Sequence, residues 1–208
     1  MTVVPHRQIR ASFDADSITV YQAYSPVIAE AAVRDGRFGA GFKRDRMTWI
    51  KPSFRWMMYR SGWAGKPGQE RVLAVRIRRA GFEWALANGA LSSYEPAVHA
   101  DRAQWRAGLR APVRVQWDPE RDLHLRPLPH RAIQVGLSGP AVHRYVDEWA
   151  VTITDVTDRC REIHRLVVAG DLVAATDLLP VERPYPVVAG AWGAGLPADP
   201  TVTDPQAG

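Results

Sequence analysis

Short runs of β-branched and aromatic residues alternate with helix-period runs that stop at glycine, and this alternation limits the folds open to the chain. The first unit shows the pattern. ITVYQAY, from Ile18 to Tyr24, reads as a strand. Ser25-Pro26 then opens a helix with Ile28, Ala29, Ala32 and Val33 at helical spacing, and Gly36 stops it. After a short strand at Arg46 to Ile50, a second helix is predicted from Ser53 to Arg60. Phe54, Met57 and Met58 would face its core side, and Gly62 would close it. RVLAVRIR, Arg71 to Arg78, alternates like a half-buried strand with its charged residues on the wet face. Helices are predicted over Phe82 to Asn88, Arg102 to Leu109 and Ser138 to Trp149. Val113 to Trp117 and Arg131 to Leu137 read as strands, joined by a turn and a Pro-broken connection, WDPERDLHLRPLP. A short strand over Val151 to Thr154 precedes two helices, Asp158 to Ala169 and Asp171 to Leu179, split by Gly170. This order predicts an α+β fold: one domain with a central mixed or mostly antiparallel sheet flanked by helices.

The 208 residues suit one domain, expected over residues 1–187, with a Pro- and Gly-rich flexible tail from 188 to 208. No run approaches the roughly 20 apolar residues that cross a bilayer, and MTVVPHRQIR lacks the apolar stretch of a secretory signal. The one cysteine, Cys160, fits a reducing compartment and reads as a half-buried residue of the helix DRCREIHRLV. A cytoplasmic protein with no membrane partner is expected.

Charge is unevenly spread. Phe42 to Arg79 holds eleven Lys or Arg against Asp45 and Glu70, a net +9 that leaves −4 for the rest of a +5 chain. Such clustering attracts polyanions or phosphorylated small molecules. Within it, Trp49, Trp56 and Trp63 recur every seven residues, interleaved with Arg46, Lys51, Arg55 and Arg60. On a helix, Arg55 and Tyr59 share one face and Trp56 and Arg60 another. Arg and Lys hold phosphate, and aromatic faces stack on bases.

Standard catalytic signatures are absent: no phosphate-binding Gly-rich loop, no GxGxxG after a strand, no GxSxG and no HExxH. The six histidines show no metal-ligand spacing, so no metal is expected. VQWDPERD places Gln116 and Asp118 at a strand end, where a turn or a pocket mouth would account for them. Gln134 is a lone polar residue in the apolar strand AIQVGL, facing either solvent or a site.

QIRASFD, VYQAY, FKRDRMTWIKPSFRWMMYRSGW, ERVLAVRI, VQWDPERD and AIQVGLSG together resemble a bacterial and fungal family known as domain of unknown function 4291, over about residues 5–187. That resemblance implies no assigned reaction. A shorter set of motifs is similar to compact ADP-ribosyltransferases. ITVYQAYSPVIAEAAVRDGRF looks like their first strand, helix and Gly, with Gln22 or Tyr24 at the NAD-contacting position. TWIKPSFRWMMY is similar to their aromatic, Ser and Tyr elements, with Trp49, Ser53 and Tyr59 in matching places. Gln134 stands where the family carries a Glu, and a neutral amide contributes no negative charge to a cationic transition state.

The leading expectation is therefore a nucleotide-binding, enzyme-like domain, in its specific form an NAD-dependent ADP-ribosyltransferase-like protein acting on nucleic acid or a small molecule. The resemblance implies catalytic roles for Gln22, Tyr59 and Gln134, and cofactor contacts from Tyr24, Arg46, Trp49, Lys51, Ser53 and Arg55. The rival expectation is a non-catalytic nucleic-acid-binding module. Geometry separates the two: an enzyme gathers these groups around a concave pocket, whereas a binding module spreads its cations along an open groove.

Overall fold

The computed structural model describes residues 4–39 and 41–186. Nine strands and seven α-helices follow one another among these residues. In chain order they are β1 (Arg10–Ala11), β2 (Ser17–Tyr24), α1 (Pro26–Asp35), β3 (Thr48–Ile50), α2 (Phe54–Ser61), β4 (Arg71–Arg78), α3 (Arg79–Ala87), β5 (Gly89–Leu91), α4 (Arg102–Gly108), β6 (Val113–Arg121), β7 (Pro127–Leu137), α5 (Pro140–Arg144), β8 (Ala150–Asp155), α6 (Thr157–Val168), α7 (Leu172–Asp177) and β9 (Arg183–Pro184). A π-helical turn, Tyr145–Trp149, joins α5 to β8. None of the helices described is long and apolar enough to cross a membrane.

Two sheets form the α+β framework. One has the order β2-β4-β8 and is antiparallel throughout. The other has the order β3-β7-β6-β5, antiparallel except for the parallel pair β5 and β6. A single bridge, Tyr21 to Lys51, ties β2 to the end of β3, with the Tyr21 amide donating to the Lys51 carbonyl at 2.7 Å.

Alternation within the strands decides what each face meets. Ile18 and Val20 of β2, Leu73, Val75 and Ile77 of β4, and Val113, Val115, Ile133, Val135 and Leu137 of β6 and β7 fill one core. Tyr21 and Val72 point the other way, into a second core with Phe54, Met57, Met58, Cys160 and Ile163. The first half of β4 is thus covered on both faces, and only Arg76 and Arg78 are exposed on the face expected to be wet. The outer face of β6 and β7 carries Gln116, Asp118, Gln134 and Gly136 in register. This polar face positions the candidate site.

Several boundaries differ from the sequence reading. The connection expected between residues 117 and 131 is an extended hairpin, in which Pro119 sits beside a bulge and Asp122 closes the tip by accepting from the Arg126 amide at 2.8 Å. Helix α3 starts at Arg79 rather than Phe82 and contains Gly81, because a Cβ there would overlap the Trp149 ring. Gly89 opens β5 instead of only ending that helix. Beyond Pro180 the chain is docked through Tyr185. Its ring is buried, its amide donates to Ile9, and β9 pairs with β1. The flexible tail expected over residues 188–208 lies outside the described residues.

Candidate functional site

A cleft of about 690 Å3 opens over the outer face of β3, β7 and β6. The C-terminal end of β2 and the segment 41–47 form one wall. Met57 and Arg60 of α2 and the turn 67–69 form another. Gln116, Gln134 and Trp49 line the sheet side.

The cation distribution is the main electrostatic fact. Of the eleven basic residues between Phe42 and Arg79, four are neutralised from elsewhere in the chain. Arg44 pairs with Asp147, Arg71 with Glu30 and Asp155, Arg76 with Asp14, and Arg79 with Glu83. Lys43, Arg46, Lys51 and Arg60 instead line the cleft, and no acidic side chain lines it among the described residues. Lys43, Arg46 and Arg60 are exposed, whereas Lys51 is only 6% exposed. The Lys51 ammonium donates to the Trp49 carbonyl at 2.9 Å. Burial, helped by the like charge of Arg60 and opposed by Asp118, brings its amine down to about 7 from 10.5.

Trp49 is held by the sheet. It pairs across the strands with Gly136, whose missing Cβ leaves room for the indole edge and for the Met47 sulfur. Any larger residue there would push both side chains out.

Gln22, expected to meet the ligand directly, is 3% exposed and engaged within the protein. Its amide donates to the Thr48 hydroxyl at 2.8 Å and the Trp49 carbonyl at 3.2 Å, and its oxygen accepts from Tyr145 at 2.6 Å. Tyr24 lies 3.4 Å from the same Thr48 hydroxyl, and burial raises its phenol. Gln22 therefore clamps β2 to β3 at the cleft wall, with both amide hydrogens in use.

Gln134 faces this cleft rather than open solvent and is 9% exposed. It donates to Asp118 at 2.7 Å while its cross-strand partner Gln116 donates to the other oxygen of Asp118 at 2.9 Å. A carboxylate thus stands directly behind the neutral amide.

Three expected residues lie apart from the cleft lining. The Ser53 oxygen caps α2 by accepting from the Trp56 amide at 3.2 Å. Tyr59 is exposed, with the Arg121 guanidinium 3.6 Å from its ring centre. Arg55 sits where its charge acts on Glu182 and His130. The helix phase presents Arg60 to the cleft in their place. Gln22, Tyr24, Arg46, Trp49, Lys51 and Gln134 do converge, joined by Lys43, Thr48, Arg60 and Gln116. Cys160 is fully buried, and burial pushes its thiol up to about 12, which makes it inert.

Fold and site together define an α+β protein with a basic cleft at the junction of two sheets, lined by no acidic side chain among the described residues. The chain belongs to the family described as domain of unknown function (DUF4291), whose model matches residues 8–185. A search of curated proteins returned no match to the chain.

Proposed function

We propose that the cleft binds a phosphate-bearing small molecule of the nucleotide class and that the protein acts on it as an enzyme. The supporting observation is the convergence of Lys43, Arg46, Lys51 and Arg60 on one concavity that no carboxylate lines among the described residues. Cations exposed at the rim, and unpaired with acids among the described residues, offer charge-assisted contacts to phosphate. Trp49 adds an aromatic surface beside them. Concentration in a cleft favours a small ligand over a nucleic-acid strand, which would be served by cations spread along a groove.

In the NAD form of this reading, Gln134 orients the acceptor and Asp118, 2.7 Å behind it, supplies the negative charge that Gln134 lacks. Tyr24 and Trp49 then border the ligand ring, and Arg46 and Arg60 take its phosphates. Calorimetric titration with ATP, NAD and pyrophosphate tests the reading. Binding is expected to weaken by about tenfold or more in Arg46→Ala and Arg60→Ala, the loss typical of one charge-assisted contact. Equal affinity in both variants would place binding elsewhere.

A further inference from the structure

The sequence uses arginine 24 times and lysine only at 43, 51 and 66. One of these three lysines occupies the most enclosed cationic position of the cleft. The choice has a chemical consequence. A guanidinium stays charged and is a poor nucleophile, whereas an amine can lose its proton and attack carbon. Lys51 is placed for this. Its nitrogen is anchored by the Trp49 carbonyl, which accepts one hydrogen, and it makes no ion pair among the described residues. Burial and the like charge of Arg60 disfavour its ammonium, against the Trp56 ring, whose face lies 5.7 Å away and attracts a cation. Desolvation beside another cation is a recognised way to activate a lysine amine.

We propose that Lys51 forms an imine with a phosphorylated aldehyde, or with the open-chain form of a phosphorylated sugar, held in the cleft. The proposal rests on the phosphate-binding reading above, because Arg46 and Arg60 would fix the phosphate end while the carbonyl reaches Lys51. The neutral amine forms an N–C bond to the carbonyl carbon, and the C=O π pair moves to oxygen, which takes up the proton the nitrogen loses. The resulting carbinolamine expels water to leave C=N. No oxidant or reductant takes part, and hydrolysis returns the free lysine.

The test uses the full chain, pyridoxal 5′-phosphate and ribose 5-phosphate as probes, unphosphorylated pyridoxal and ribose as controls, and borohydride to reduce any imine. Peptide mapping then locates the label among the three lysines and the N-terminus. Label concentrated on Lys51, blocked by ATP, and weaker by about tenfold for the unphosphorylated controls is the expected result. The source of the ligand follows from which phosphorylated probe labels better. Label on Lys43 or Lys66 in preference to Lys51, or none, overturns the proposal. If ATP binds normally while Lys51 stays unlabelled, the imine fails and the phosphate cleft survives. Lys51 labelled equally by pyridoxal and its phosphate keeps the amine reactive but removes the phosphate reading. Since mapping is done on the unaltered protein, the outcome does not depend on any variant folding.

Discussion

The side-chain nitrogen of Lys51 donates to the main-chain oxygen of Trp49, two residues back on the same edge, at 2.9 Å. This contact ties the titrating amine to the residue that carries the aromatic wall of the cleft. It also leaves the amine without a carboxylate partner at ion-pair distance among the described residues. The predictions below start from that arrangement.

Lys51 makes stability depend on pH in a definite direction. Folding lowers its pKa from 10.5 to about 7, so between these values the unfolded chain holds a proton that the folded chain has released. Stability therefore rises with pH across that window, and the cost is complete below it. Lys51→Met should melt above the unaltered protein near pH ~6, with the difference shrinking toward pH ~10. Melting curves at several pH values check this.

Glu182 acts in the opposite sense. The residue is half-buried, but its carboxyl is enclosed and accepts from the Phe54 amide at the start of α2 at 2.6 Å. Burial pushes it from 4.5 up to about 8, against the pull of that amide and with the help of Glu120. The folded chain keeps a proton that the unfolded chain loses, so this contribution declines as pH rises from 4.5 to about 8. Glu182→Gln keeps an acceptor for the Phe54 amide and should flatten the melting temperature across that range.

The Gln22 clamp should be costly to break. Tyr145→Phe removes one buried hydrogen bond and leaves the Gln22 oxygen without its partner, a loss of about 1–3 kcal/mol. Gln22→Leu strands Tyr145, leaves the Thr48 hydroxyl only its longer contact to Tyr24, and should cost more. Denaturant unfolding measures both. Equal stability of Tyr145→Phe and the unaltered protein would contradict the network.

Two glycines should resist replacement for separate reasons. Gly81→Ala places a methyl on the Trp149 ring, an overpacking loss of about 1–3 kcal/mol or more. Gly136→Val meets Met47 and Trp49, so it should disturb ligand binding as well as stability. Comparing melting temperature with titration separates the two effects.

How far the sequence reveals this structure can be followed residue by residue. Helix α2 was legible because cap, core spacing and stop agree: Ser53 caps it, Phe54, Met57 and Met58 are buried, and Gly62 ends it in the left-handed region at φ 60°. The β6–β7 hairpin was not, because Pro119, Pro127 and Pro129 read as breaks, whereas Pro119 sits at a bulge and the strands continue past it. Strand β5 has three residues and a parallel partner distant in sequence, so no local signal marks it. In the cleft, basic density pointed to a segment that lines it, and Arg46, Trp49 and Lys51 followed from it. Arg55 and Arg60 lie on different polar flanks of one helix, and tertiary packing decides which flank meets the cleft. Asp118 was visible as a strand-end acid, but its link to Gln134 needs the cross-strand register.

The most direct test is a crystal structure of the protein soaked with ATP or NAD at saturating concentration. The account predicts phosphate density in the 690 Å3 cleft, within hydrogen-bond reach of Arg46 or Arg60, with the ligand ring beside Trp49. Ligand bound instead on the outer surface around Arg55 and His130, or a cleft that stays empty at saturation, would contradict it.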